Sequence, residues 1–308
     1  MLVLNISSFP GFFLLGFSRQ PRLEIILFVV TAVFYLLALL GNAAIIVLAC
    51  VDPRLHTPMY LFLTHLSLMD LCYTASTVPQ LLFNLWGPEK TISYGGCVGQ
   101  LYVSLAMGST ECILLAVMAL DHFVAVCRPL HYAVLMPPRV CWQLVTSTWL
   151  TGMAISLVQT VLVMRVPLCG RNVIDHIFCE VPVLLKLACV DTTTHRMQLF
   201  LVSAFLLLLP FTLILISYSC IAQAVCKIRS SGGRQKALGT CLSHLVVVFL
   251  FYGTAMATYL QPTPTTSQDR SKFMALLYGV VTPTLNPFIY TLRNKDMNGA
   301  LRKVMGKE

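Results

Sequence analysis

Seven long apolar stretches decide what this chain can fold into. They lie at roughly 25–50, 58–83, 98–126, 140–164, 197–226, 237–260 and 273–292, and no Lys or Arg falls well inside any of them. A helix crosses the hydrocarbon core with about 20 apolar residues, and a helix satisfies its own backbone groups there. The expected fold is therefore an all-α membrane protein, a seven-transmembrane helix bundle in one domain over residues 1–308. Composition agrees: 57% of residues are hydrophobic and 11% charged, against about a quarter charged in soluble domains. That balance excludes an ordinary soluble enzyme and a disordered chain, and it leaves no polar segment long enough for a separate soluble domain. The net charge of +9 sits between the stretches, as lipid contact requires, so nucleic acid is not an expected partner.

An odd number of spans puts the termini on opposite sides. With the N-terminus outside, the inner segments carry 12 cations and four acids, and the outer segments nine cations and six acids. This bias supports an extracellular segment 1–24 and a cytoplasmic tail 293–308. From Asn294 to Lys307 the tail is basic and weakly amphipathic, which fits a short surface helix. Residues 1–20 lack a basic n-region and a clear cleavage site, so the first span is expected to target the chain. Asn5-Ile6-Ser7 is a glycosylation acceptor usable in this topology. Cys97, Cys169, Cys179 and Cys189 all fall on the outer, oxidising side. Four cysteines allow three pairings. Three of them share one long loop, from about Arg165 to Arg196, and bridges there would fix it as a lid over the outer mouth.

Six motifs then occur in order. They are Gly41-Asn42 in the first span, Leu55-His56-Thr57-Pro58-Met59-Tyr60 opening the second, and Met118-Ala119-Leu120-Asp121-His122-Phe123 closing the third. Ser217-Tyr218 follows at the end of the fifth, Lys236-Ala237-Leu238-Gly239-Thr240-Cys241-Leu242-Ser243-His244 opens the sixth, and Asn286-Pro287-Phe288-Ile289-Tyr290 closes the seventh. Together they closely resemble the odorant (olfactory) receptors of tetrapod type, within the rhodopsin-like G-protein-coupled receptors. The resemblance covers essentially the whole chain. It implies bridges Cys97–Cys179 and Cys169–Cys189. It also implies a volatile ligand, a heterotrimeric G protein as partner, and coupling through Asp121, His122, Tyr218 and Tyr290. The chain departs from the family at the third helix's triplet, which is Asp121-His122-Phe123 in place of Asp-Arg-Tyr. It departs again at Leu120, where Tyr or Phe is usual, and at Leu238-Gly239, where Phe-Ser is usual. Arginine is a permanently charged fork of donors, whereas histidine is shorter and mostly neutral. Two readings follow: drift in a working receptor, or weakened G-protein coupling.

Asp70 and Glu111 are the acids deep in the spans, where an isolated charge is costly. The resemblance brings them together with Asn42 and Asn286, an oxygen set suited to Na⁺; the alternative is one carboxylate kept protonated. No other cofactor is expected. Counting inward from Cys97 in helical steps puts Ser104, Leu105, Gly108, Ser109 and Cys112 on one face of the third helix. Val202, Ser203, Leu206 and Leu207 would face them from the fifth. Phe251, Tyr252, Ala255, Met256 and Tyr259 would face them from the sixth. For any single one, core packing serves as well as ligand contact. As a set they describe a small apolar cavity with a few hydroxyls, suited to an uncharged, weakly polar molecule. Ser104 stands where amine receptors carry Asp, and Val280 stands where opsins carry the retinal lysine. No P-loop, metalloprotease His pair or dinucleotide fingerprint is present, so the chain is not read as an enzyme. A transporter would usually show repeated halves or more intramembrane charge. His176-Ile177-Phe178-Cys179-Glu180 fits a copper pattern discussed for some odorant receptors, but a disulfide at Cys179 would remove its thiolate.

Overall fold

The computed structural model describes residues 11–169, 172–227, 231–260, 268–293, 297, 299–300 and 303. Asn5 and most of the expected tail helix lie outside them. Six long helices start within the expected stretches or a few residues ahead of them. They are α1 (Pro21–Val51), α2 (Pro58–Trp86), α3 (Tyr94–Cys127), α4 (Pro138–Met164), α5 (Thr193–Lys227) and α6 (Ser231–Tyr259). The seventh, α7, runs Gln268–Leu276, widens to π-helical turns over Leu277–Val281 and continues as Thr282–Arg293. Pro283 follows that widening by two residues. A proline there has no N–H to give, and its ring crowds the preceding turn.

Six of the seven helices have both the length and the apolarity to cross a membrane. The remaining one, α2, has the length but a more polar make-up, with Ser67, Asp70, Thr74, Thr77 and Asn84 all buried. Threonine hydroxyls there fold back on their own helix: Thr74 donates to the Asp70 carbonyl at 2.7 Å and Thr77 to that of Tyr73 at 2.8 Å. The outward faces of the bundle are apolar. On α1 alone, Ile25, Ile26, Val29, Val33, Leu36 and Leu40 are exposed, which is a lipid-facing surface rather than a solvent-facing one.

Packing follows small residues, as expected where apolar faces do not contrast with lipid. The closest pairing is α3 on α4. Thr148, Gly152, Ser156 and Thr160 recur every fourth residue on α4, and all are buried. A Cβ on Gly152 would stand 2.1 Å from Thr110 Oγ1 and 2.9 Å from the Thr110 backbone nitrogen. Gly41 plays the same part between α1 and α7, where a Cβ would meet the Pro287 ring at 2.8 Å.

The end with the long loop is closed by a small sheet that the sequence did not announce. β1 (Gly11–Leu14) pairs antiparallel with β2 (Thr91–Ser93) and parallel with β3 (Val173–Ile174). Phe12 and Leu14 turn inward and are buried beneath it. Both disulfides, Cys97–Cys179 and Cys169–Cys189, are formed. The first ties the loop to the opening turns of α3, and the second closes the loop on itself. Gln100 accepts the Cys179 N–H at 2.8 Å beside that tie. Lys272 of α7 fastens the remainder: its Nζ donates to the Gly16 carbonyl at 2.7 Å and to Asp175 of the loop at 2.5 Å. At the opposite end, the Arg54 guanidinium holds the Asp52 carboxyl down at about 2, so the first short loop keeps its charge pair.

Candidate functional site

A cavity opens beneath the lid between α3, α5 and α6. It encloses about 1070 Å³ of space between atoms, including its open part, and centres of water-sized spheres move through about 130 Å³ of it. The smaller figure is roughly ten times what one water needs, so the cavity has room for a small molecule and is not merely a solvent site. Its lining includes Ser104, Leu105, Gly108, Ser109 and Cys112 from α3; Val202, Ser203, Leu206 and Leu207 from α5; and Phe251, Ala255 and Tyr259 from α6. Two residues expected there are not in the lining. Tyr252 is buried against Phe211 and Phe251, and its hydroxyl donates 2.7 Å to the Cys112 carbonyl, so it joins α6 to α3 instead. Met256 is half-buried and packs against the core.

The cavity is wider than one face each of three helices. Met69 and Tyr73 enter from α2, Ile155, Ser156 and Gln159 from α4, and Tyr278, Thr282 and Pro283 from α7. Glu180 of the lid forms part of the roof and accepts a hydrogen bond from the Tyr278 hydroxyl. The copper pattern finds other partners: Cys179 is in its disulfide, and the His176 ring meets the Phe178 backbone.

The floor is the pair of intramembrane acids, since Asp70 and Glu111 both line the cavity. Asn286 donates to Asp70 at 3.0 and 3.3 Å. Asn42 donates to the Ala38 and Pro283 carbonyls, linking α1 to α7. Asn42 Oδ1, Glu111 Oε1 and Asn286 Oδ1 are buried without hydrogen-bond partners. Oxygens left over beside a carboxylate are the donor set a hard cation prefers, so these four residues fit Na⁺.

At the other end of α3, Asp121 accepts 2.8 Å from the Tyr132 hydroxyl. Burial, and after it the Asp121 charge, hold the Tyr132 phenol above its ordinary value, so it stays a donor. His122 Nδ1 stands 3.8 Å from Asp121. Tyr218 lies 2.8 Å from His244 Nδ1, and the buried Tyr290 hydroxyl has no partner. His244 was part of a sequence motif, but nothing in the sequence alone gave it or Tyr132 these contacts.

A family model described as olfactory receptor matches residues 31–308. The chain belongs to the olfactory receptor family. Human olfactory receptor 2G3 is 58% identical over 301 residues, covering 98% of this chain and 97% of that protein. Human olfactory receptor 2G6 is 57% identical over 98% of this chain, and mouse olfactory receptor 2C1 is 56% identical over all of it. Olfactory receptors are G-protein-coupled receptors and not enzymes, and the chain is accordingly a multi-pass membrane receptor.

Proposed function

We propose that this olfactory receptor binds a small, uncharged, weakly polar volatile molecule in the lid-side cavity. It passes that event to a stimulatory olfactory-type G protein, raising cAMP. In this reading the lid faces the cell exterior at the plasma membrane, the N-terminus with Asn5 is outside, and Asp121, His122, Tyr218 and Tyr290 lie at the coupling end. The observation that carries it is the cavity. Twelve of the positions expected from the sequence line one space, mostly apolar, with hydroxyls from Ser104, Ser109, Ser203 and Tyr259. A ligand that prefers one of two helix arrangements shifts the population toward it. Asn42, Asp70, Glu111 and Asn286 would hold Na⁺ below the ligand, and what the chain supplies there is oxygen and negative charge.

The test is a cAMP assay over an odorant panel. Gly108 lines the cavity, and a Cβ there would meet nothing within 4 Å. Gly108→Val should therefore fill space without disturbing the helices. It should abolish responses to active odorants at unchanged surface expression. Undiminished responses would place the ligand elsewhere.

A second reading rests on His122. It offers fewer donors than the arginine usual in the family, which would weaken coupling without changing ligand binding.

A further inference from the structure

His122 of α3 and His244 of α6 meet at the coupling end with ring centroids 5.2 Å apart and planes at 65°. Both are buried, at 5% and 0% exposure. On each ring Nδ1 faces an oxygen. For His244 it is the Tyr218 hydroxyl at 2.8 Å. For His122 it is the Asp121 carboxylate at 3.8 Å, itself held by Tyr132. On each ring Nε2 has no hydrogen-bond partner.

Two buried imidazole nitrogens without partners are costly. The arrangement around them is one that prepares a metal ligand. With its proton on Nδ1, on the side of the hydroxyl or the carboxylate, each ring leaves the Nε2 lone pair free for a metal. Tetrahedral zinc binds imidazole nitrogen at about 2.0–2.1 Å; adding about 1.2 Å from nitrogen to ring centre sets two such rings about 5 Å apart. That is the separation found. An arginine at position 122 has no lone pair to offer and would repel a cation, so the site belongs to the departure from the family's triplet. The Asp121 carboxylate adds negative charge beside it.

We propose that His122 and His244 form a zinc-type transition-metal site that bridges α3 and α6. No group of three or more His, Cys, Asp or Glu suited to a metal occurs among the described residues. The ion therefore has two protein nitrogens, and its affinity is micromolar rather than that of a closed four-ligand site. A bridging ion resists separation of the two helices at this end. That consequence rests on the coupling reading above, whereas the binding itself does not.

The experiment uses the full-length chain purified in lipid nanodiscs, stripped with a chelator and titrated with ZnCl2 against a chromophoric zinc competitor. One zinc per chain is expected in the micromolar range, with an upward shift of the thermal midpoint. His122→Gln and His244→Gln should each weaken binding at least tenfold, and His65→Gln should not. Because His244 is fully buried, its variant is paired with a second readout in which copper(II) serves as the spin probe. The parent should show coupling to two imidazole nitrogens and His122→Gln to one. Zinc binding unchanged in His122→Gln, absence of binding at millimolar zinc, or an unaltered copper spectrum in His122→Gln would each overturn the proposal.

Discussion

Substituting Gly152 by alanine tests the packing of α3 on α4 with one added methyl group. The new Cβ would lie 2.1 Å from Thr110 Oγ1, 2.9 Å from its nitrogen and 3.0 Å from its Cα. Ordinary contacts begin near 3.4 Å, so the helix axes must part by about half an ångström or more. The side-chain contact could be relieved by a rotamer change, but the two backbone contacts cannot. Overpacking of this kind costs about 1–3 kcal/mol, and about 1.4 kcal/mol is a factor of ten in an equilibrium. The expected result is a fall of about fivefold to about a hundredfold in the folded-to-unfolded ratio, seen as a lower thermal midpoint of the purified chain and reduced surface density. Thr110→Ala in the same chain removes only the hydroxyl contact, so it should restore part of the loss and not all of it. Gly99→Ala is the control, since a Cβ there meets nothing within 4 Å; it should be neutral or gain up to about 1 kcal/mol from helix propensity. If Gly152→Ala behaved like Gly99→Ala, the close approach of α3 and α4 would be wrong.

Three further outcomes are expected. Cys97→Ser opens a loop spanning 82 residues and Cys169→Ser one spanning 20; chain entropy assigns these about 4.5 and about 3.3 kcal/mol, so surface expression should fall further for Cys97→Ser, as flow cytometry would show. Tyr259→Phe should weaken responses to oxygenated ligands more than to hydrocarbons at matched expression, and equal loss would make Tyr259 a packing residue. His122→Arg should raise the maximal cAMP response, because a charge-assisted hydrogen bond contributes about 1.5–3 kcal/mol, and an unchanged maximum would remove His122 as the cause of weakened coupling.

The helices were legible because membrane crossing demands a length and an apolarity that composition alone displays. Even α2, too polar to qualify by the stricter measure, stood out as the apolar run 58–83 and opened on its Leu55-to-Tyr60 motif. The α3 wall of the cavity was legible for a different reason. A fixed starting point at Cys97 and helical steps of three and four generate one face. The contributions of Tyr73, Gln159 and Tyr278 were not, since they depend on how α2, α4 and α7 are rotated. Apolar residues all round a membrane helix give no periodicity from which to read that rotation. Tyr252 shows the same limit in reverse. It adjoins the chosen face, but its hydroxyl finds the Cys112 carbonyl across the helix interface. The strand at Gly11–Leu14 was invisible because its partners lie about 80 and 160 residues away.

The unpartnered polar atoms add an argument about how the two ends of the bundle communicate. Eleven buried side-chain atoms of the described residues lack a hydrogen-bond partner, and six of them belong to Asn42, Glu111, Asn286, Tyr290, His244 and His122. These residues run from the cavity floor to the coupling end. A buried polar group without a partner costs about 1–3 kcal/mol, and the penalty is not relieved by lipid. A packing that gave several of them partners would recover part of that cost. An arrangement with α3, α6 and α7 shifted that gave them partners would lie closer in energy to this one, which is the kind of bistable element that coupling between distant sites requires. Because Asp70 and Glu111 line the cavity, a ligand or ion touching the floor acts directly on the first members of this column. Filling the column with apolar atoms separates this account from simple packing. Tyr290→Phe removes one orphaned hydroxyl and changes little else, so it should raise thermal stability while lowering agonist-stimulated cAMP. A variant that lost both stability and signalling would show that the Tyr290 hydroxyl is satisfied in the resting state and that the column is not poised as described.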